Sequence, residues 1–375
     1  MQDLLFELIR IGLGKDHCLS MTLSDKQWWQ LYDLAGKHAL TGVCLAGLQL
    51  LDSTNQRPPS ELLFQWIGDS LEIENRNKLI NKQSIEVQRK LRDAGIRSCL
   101  LKGQGNALLY GRIKPNLMLL RNPGDIDLWA EGGKESVIRY VETEMPTDDV
   151  NELHIQYSIF DDTEVEVHFT PTRLSNYFRN RKLQKWFSLE KERQMTHTVE
   201  LEGVPIVMPT SDFNMVYQLI HIWRHFFGSG IGLRQLMDYY VLLEVGEVGE
   251  EEMEMAIHQI RQFGLERFAS ALMWVLGYIF HLERNRMILE PNERNGRFLL
   301  SEIMQMGNFG AYDSRFQIKS SDSHIVRYWS RIKSKRHFIG YFTSEYLWRP
   351  INILLYYIRQ KRIRRMTKRY KKLTN

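Results

Sequence analysis

Hydrophobic spacing divides the chain into a helical beginning, a short alternating middle and a helical end. Through the first 95 residues apolar positions recur at helical intervals. Ser24 and Gln27 are spaced as a capping box, opening a helix through Trp28, Leu31, Tyr32 and Leu34. Val43, Leu45, Leu48 and Leu51 make a second run, which stops in the polar loop at 55–59. Ile80, Ser84, Val87 and Leu91 then mark one face of a long helix that Gly95 is placed to end.

From residue 96 the period changes. A short apolar run at 98–101 leads into Lys102-Gly103-Gln104-Gly105 and the start of a helix at 106–110. Strand, glycine turn and helix in that order can offer backbone N–H groups to phosphate. A polar connector at 111–124, a strand through Asp125-Ile126-Asp127 and a helix from about Lys134 come next. A hairpin is predicted from 155–160 through the turn Asp161-Asp162-Thr163 into 164–169. Its second strand alternates, with Glu164, Glu166 and His168 on one face and Val165, Val167 and Phe169 on the other. A linker, a single strand at 201–208 and a helical remainder from Ser211 complete the expectation. The predicted class is α+β, a small mixed sheet with helices, in three regions: helical 1–95, an α/β core at 96–208 and a helical 209–375 with a basic tail.

Composition adds bounds. With 375 residues, 43% hydrophobic and 25% charged, the chain can bury a large core without disulfide or metal staples. Cys18, Cys44 and Cys99 are odd in number and in no ligand pattern, which suits a reducing cytoplasm. Acids stand near the amino terminus where a signal peptide would carry bases, and no apolar stretch reaches the roughly 20 residues of a spanning helix. A cytoplasmic protein is expected.

The formal charge of +5 comes from the end of the chain: nine bases and no acid lie between Arg359 and Lys372, leaving 41 bases against 45 acids elsewhere. An acidic body argues against DNA binding. The segment 346–358 plus this tail reads as a core helix with a solvated end, as an interfacial anchor on anionic lipid giving peripheral membrane contact, or as an RNA contact.

The chemistry centres on Asp125 and Asp127. Two apart on a strand, they present carboxylates to one face, and both stay ionised only beside a cation. Hard divalent ions take such oxygens together with substrate phosphates, so the pair reads as part of a metal-dependent phosphoryl-transfer site. Lys102 and Arg121 suit phosphate, and equally suit a solvated turn and a surface ion pair. His221 and His225 stand at the i, i+4 spacing of a zinc pair, with no third ligand in view. Arg234 and Asp238, at the same spacing after three glycines, read as a helical ion pair.

Four motifs in order carry a resemblance: Leu101-Lys102-Gly103, Arg121-Asn122-Pro123-Gly124-Asp125-Ile126-Asp127-Leu128, Glu166-Val167-His168, and Gly230-Ile231-Gly232-Leu233-Arg234 with Asp238. Together they resemble the bacterial family labelled "uncharacterised nucleotidyltransferase", within the DNA polymerase β-like superfamily. The turn is Lys102-Gly103-Gln104-Gly105 where the wider superfamily has Gly-Ser or Gly-Gly, and the third acid is Glu where many relatives have Asp. The resemblance implies a nucleotidyltransferase core flanked by helical regions, with Asp125, Asp127 and Glu166 holding Mg²⁺, two ions about 3.5–4 Å apart. Glu164 shares the face of Glu166 and is its alternative. Lys102, Gly103, Gln104, Arg121 and Arg234 would contact the NTP. His168 reads as an orienting neighbour of Glu166 or a half-buried histidine. A nucleoside monophosphate would pass from an NTP to an acceptor hydroxyl, a small molecule being favoured. The alternatives are a nucleotidyl-transferring toxin or regulator acting on protein or tRNA, and a non-catalytic nucleotide-binding module.

Overall fold

The computed structural model describes residues 1–51, 56–312 and 336–374. Four helices open the chain: α1 (Gln2–Leu13), α2 (Asp25–Lys37), α3 (Thr41–Gln49) and α4 (Ser60–Asp93). The capping box forms, with the Ser24 N–H donating to Gln27 Oε1 at 2.9 Å. Gly95 ends α4 at φ +77°, and the Ile96 N–H reaches back to the Leu91 carbonyl at 2.8 Å. That closes the last turn in the way a left-handed glycine permits.

The middle of the chain builds the sheet. In order come β1 (Ser98–Leu100), α5 (Gln104–Ile113), the short α6 (Leu117–Leu120), β2 (Ile126–Ala130), α7 (Gly133–Glu144), β3 (His154–Gln156) and β4 (Val165–His168). The strands lie in the order β1-β2-β4-β3. β2 and β4 are parallel, with α7 in the crossover, and β1 and β3 pair antiparallel at the two edges. The alternation of side chains separates the two faces. Ile126, Leu128, Ile155, Val165 and Val167 enter an apolar core with Ile80, Val87 and Leu91 of α4 and Val137, Ile138 and Val141 of α7. Asp127, His154, Glu166 and His168 hold the alternate positions and so line the other face. Glu164 lies just before β4 and is exposed, whereas Glu166 stands within the strand opposite Asp127.

Residues 171–208 depart from expectation. In place of a linker and one strand they form α8 (Tyr177–Thr196) and a hairpin, β5 (Thr198–Leu201) with β6 (Val204–Val207). Glu202 and Gly203 both take positive φ, 52° and 76°, giving the two-residue turn that splits the expected strand. In α8 the dense basic residues obscure a helical apolar set, Leu183, Trp186 and Phe187, which is buried. Trp186 stacks on Phe213 with ring centroids 4.7 Å apart.

The remaining helices are α9 (Ser211–Phe227), α10 (Leu233–Val245), α11 (Glu250–Gln262), α12 (Glu266–Phe280), α13 (Glu293–Met306) and α14 (Thr343–Thr374). The amino-terminal and carboxy-terminal helices share one apolar core, which also takes Trp129 from the sheet. α14 packs on α7, and its Ile363 is buried in the core beneath the sheet. The start of the basic tail is therefore docked on the α/β unit. No described helix is long and apolar enough to cross a membrane.

Candidate active site

β2 carries Asp127 in its second position and Asp125 just ahead of it. The parallel register sets Asp127 opposite Glu166, so three carboxylates from two strands converge. One oxygen from each lies within 4.8 Å of the others. Asp127 is fully buried and Asp125 partly exposed, so the set opens at the Asp125 end.

Lys102 supplies the positive charge. The Leu101 N–H donates to the Asp127 carbonyl at 3.0 Å, which holds the turn after β1 against β2. Lys102 Nζ then lies 2.8 Å from Asp127 Oδ2 and 3.9 Å from Asp125 Oδ2. Burial works against the ammonium, but Asp125 and Asp127 outweigh it and raise its pKa. Lys102 in turn holds Asp125 below the ordinary carboxylate range. Asp127 goes the other way, raised by burial and by the nearby Asp125.

Gly103 turns the chain from Lys102 into α5 at φ +62°, where a Cβ would come within 3.3 Å of the Asp125 carbonyl oxygen. Glycine is required there both for the left-handed backbone and for the close approach. The N-terminus of α5, an end that favours anions, thereby lies beside Asp125. Gln104 turns its side chain away from this centre, to Asn81 and Asn77 of α4. What it can present to a phosphate is backbone.

Two histidines complete the buried side. His168 Nε2 lies 2.9 Å from Asp127 Oδ1 and 3.1 Å from Glu166 Oε2. His154, opposite His168 across the β3–β4 pairing, places Nδ1 2.9 Å from the same Glu166 oxygen. Burial opposes ionisation of Glu166, yet hydrogen bonds from His154 and His168 win and lower its pKa. His168 is fully buried, and Asp127 and Glu166 raise its pKa against the effect of burial. His154 escaped the sequence reading because the first hairpin strand was begun at residue 155.

The Arg121–Asp127 segment is fixed from α10. Arg121 and Asp238 are buried and paired twice, Nε to Oδ1 and Nη2 to Oδ2, both at 2.7 Å. Tyr110 donates its hydroxyl to the same carboxylate at 2.8 Å. The i, i+4 partner expected for Asp238 is Arg234, but Arg234 Nη1 instead donates to the carbonyls of Asn122 and Pro123 at 2.9 and 3.0 Å. Its guanidinium lies over the Phe309 ring, 5.8 Å from the centroid. A cleft runs between these elements, lined by Lys102, Asn106, Asp125, Tyr217, His221 and Arg234 among others. Burial and the charge of Lys102 keep both histidines of α9 neutral, with His225 pushed down to about 3. Among the described residues the two clusters able to hold a metal are Asp125–Asp127–Glu166 and His154–Glu166–His168, and neither includes the α9 pair. A roomier hollow of about 880 Å³ lies between α11 and residues 284–291, away from these carboxylates.

The motifs and their assembled geometry converge on one lineage. The chain belongs to the uncharacterised nucleotidyltransferase family, which matches residues 24–281. That span runs from the start of α2 to the end of α12, so the family unit takes in helices on both sides of the sheet. Among solved structures, an antigenic nucleotidyltransferase-like protein from Paracoccidioides brasiliensis is similar at 15% identity and a TM-score of 0.33, over 54% of this chain and 96% of that one. So loose a likeness has no bearing on the site. No curated protein matches the chain.

Proposed function

We propose that this nucleotidyltransferase-family protein moves a nucleoside monophosphate from an NTP to a hydroxyl of a small-molecule acceptor, with divalent metal at Asp125, Asp127 and Glu166. The observation that carries the reading is the convergence of those three carboxylates beside Lys102 and the α5 N-terminus. The donor set fits a hard cation. It is all oxygen, and Asp127 Oδ2 is buried without a hydrogen bond, compensated only by the charge of Lys102. Bound Mg²⁺ would neutralise the α-phosphate and ease deprotonation of the acceptor hydroxyl.

The protein's own groups do the positioning, which is most of what phosphoryl transfer requires. Lys102 and the amino end of α5 face the triphosphate, and Arg234 presents a further cation at the cleft beside Asp125. The acceptor oxygen attacks the α-phosphorus, the bond to the β-phosphate bridging oxygen breaks, and pyrophosphate leaves with that electron pair. The hydroxyl proton passes by way of Glu166, whose orientation His154 and His168 hold, to solvent. Arg121 stabilises the Asp125 loop through Asp238 and meets no phosphate in this scheme. The acidic balance of the chain outside its tail supports a small acceptor over a polynucleotide.

The test is transfer of label from α-labelled NTPs into a small-molecule extract with Mg²⁺, comparing wild type with Asp127→Asn. Label in an acid-soluble product, lost in the variant, is expected. Label found only in protein or tRNA would move the assignment to a regulator or toxin. Equal Mg²⁺-NTP binding by both proteins with no turnover would leave a nucleotide-binding module.

A further inference from the structure

Beyond the carboxylates, at the other end of the strands, lies a second group of charges. Lys134 opens α7 after β2, Arg173 follows β4, Arg224 stands on α9, and Arg359 reaches in from α14. Glu152, just ahead of β3, is the carboxylate they meet. Arg359 Nη1 lies 2.7 Å from Glu152 Oε2, and Arg173 Nε lies 3.9 Å from the same oxygen. The Arg173 Nε is buried and makes no hydrogen bond. Lys134 holds its ammonium over the Phe169 ring, 5.2 Å from the centroid. Arg224 is exposed and makes one long hydrogen bond, 3.5 Å to Thr172 Oγ1, in the field of Glu152, Glu166 and Asp127. Four cations thus gather at Glu152, and only Arg224 among them also feels Glu166 and Asp127.

Such a surplus is unfavourable unless an anion joins it. Burial and the charge of Arg173 bring the Lys134 pKa down to about 8, while Arg173 is lowered by its own burial and by Arg359. In both, burial is the larger cause and a neighbouring cation adds to it, with Glu152 acting the other way.

The place of the cluster names its ligand. Lys102, Gly103 and Arg234 stand at the Asp125 end, so the triphosphate and its leaving pyrophosphate have their cations there. In-line displacement brings the acceptor from the opposite side of the α-phosphorus. From Glu166 to Phe169 is roughly 10 Å along the strand, about the reach of a small molecule with a hydroxyl at one end and a phosphate at the other. Arginine forks favour phosphate oxygens through paired, charge-assisted bonds.

We infer that Lys134, Arg173, Arg224 and Arg359 form a subsite for a phosphate group carried by the acceptor, so that the enzyme adenylylates, or otherwise nucleotidylates, a phosphorylated small molecule. The inference rests on the nucleotidyl-transfer reading of Asp125, Asp127 and Glu166. It also gives the docked end of α14 a task, since Arg359 comes from that helix.

The test is titration of the full-length protein with inorganic phosphate by calorimetry, metal-free and again with saturating Mg²⁺ and a non-hydrolysable NTP. Phosphate is expected to bind in both conditions. Arg173→Ala and Lys134→Ala should each weaken it about tenfold, and Glu152→Gln should tighten it several-fold by removing the competing carboxylate. A merely structural cluster would not give that gain. Displacement of phosphate by the NTP analogue would make the cluster the triphosphate's own seat and overturn the inference. So would indifference to all three substitutions, or binding too weak to detect even in Glu152→Gln. Failure of the nucleotide reading is seen separately, as Mg²⁺-dependent analogue binding that survives Asp127→Asn.

Discussion

Two buried ion pairs flank the Asp125 loop, and they are built in opposite ways. Arg121 and Asp238 meet as two forks, both contacts at 2.7 Å, with the Tyr110 hydroxyl adding a third bond. Lys102 and Asp127 meet through one ammonium at 2.8 Å, and the oxygen concerned has no hydrogen bond of proper direction. The first pair is satisfied and closed. The second has one ammonium among three carboxylates, an arrangement that a better-fitting cation can improve. Burial and charge are similar in the two, so neither marks function. What separates them is how completely the polar atoms are satisfied.

Substitutions can break or sharpen that contrast. The largest effect is expected from Asp127→Asn, which should cut NTP turnover by about 10³–10⁴-fold, about 4–5.5 kcal/mol in activation. Stability to urea should hold or rise, because one of several crowded carboxylates loses its charge. A variant that simply unfolded would erase the distinction between the pairs. Next, Asp238→Ala should lower the urea stability by about 3–5 kcal/mol, the usual result of leaving a buried charge without its partner. A loss below about 1 kcal/mol would show that Arg121 finds other partners and that the pair is no clamp.

A smaller effect, in the opposite sense, is expected at Lys102. Without the ammonium, Lys102→Ala should bind Mg²⁺ alone about tenfold more tightly, about 1.4 kcal/mol, while Mg²⁺-NTP binding weakens; calorimetry reads both. Unchanged Mg²⁺ affinity would mean that the ammonium and the metal do not compete. The smallest effect is in pH. Arg121 lowers the Asp238 pKa against the effect of burial, so the pair's contribution is complete above the unfolded value of about 3.9 and is lost as pH falls through the lower folded value. The stability gap between wild type and Asp238→Asn should therefore stay level from pH 7 to 5. Below pH 4 it should shrink by at most about 1.4 kcal/mol per unit. A gap that closed nearer neutrality would assign the titration to another group.

Local chemistry was the readable part. Ser24, Gln27 and Gly95 announced helix ends because caps act on neighbouring residues. The alternation around Val165 and Val167 announced a strand with a polar face. α8 was missed because Arg179, Arg181, Lys182 and Lys185 hide three well-spaced apolar residues, and the β5–β6 hairpin because Glu202 is an uncommon residue at positive φ. At the site, the chemical types of Asp125, Asp127, Glu166 and Lys102 were legible, whereas His154 and the side-chain direction of Gln104 were not. Gln104 follows the glycine turn in sequence yet is drawn to Asn81 and Asn77, residues more than 20 positions away.

By itself the amino-acid order determined which residues could do chemistry, their faces on each strand and the lineage their motifs mark. These follow from period, residue type and spacing, all local quantities. Tertiary structure decided partnership: Arg121 with Asp238, Arg234 on the loop rather than on Asp238, His154 beside Glu166, and Arg359 beside Glu152. Charges act through space, and fold topology sets which of them meet.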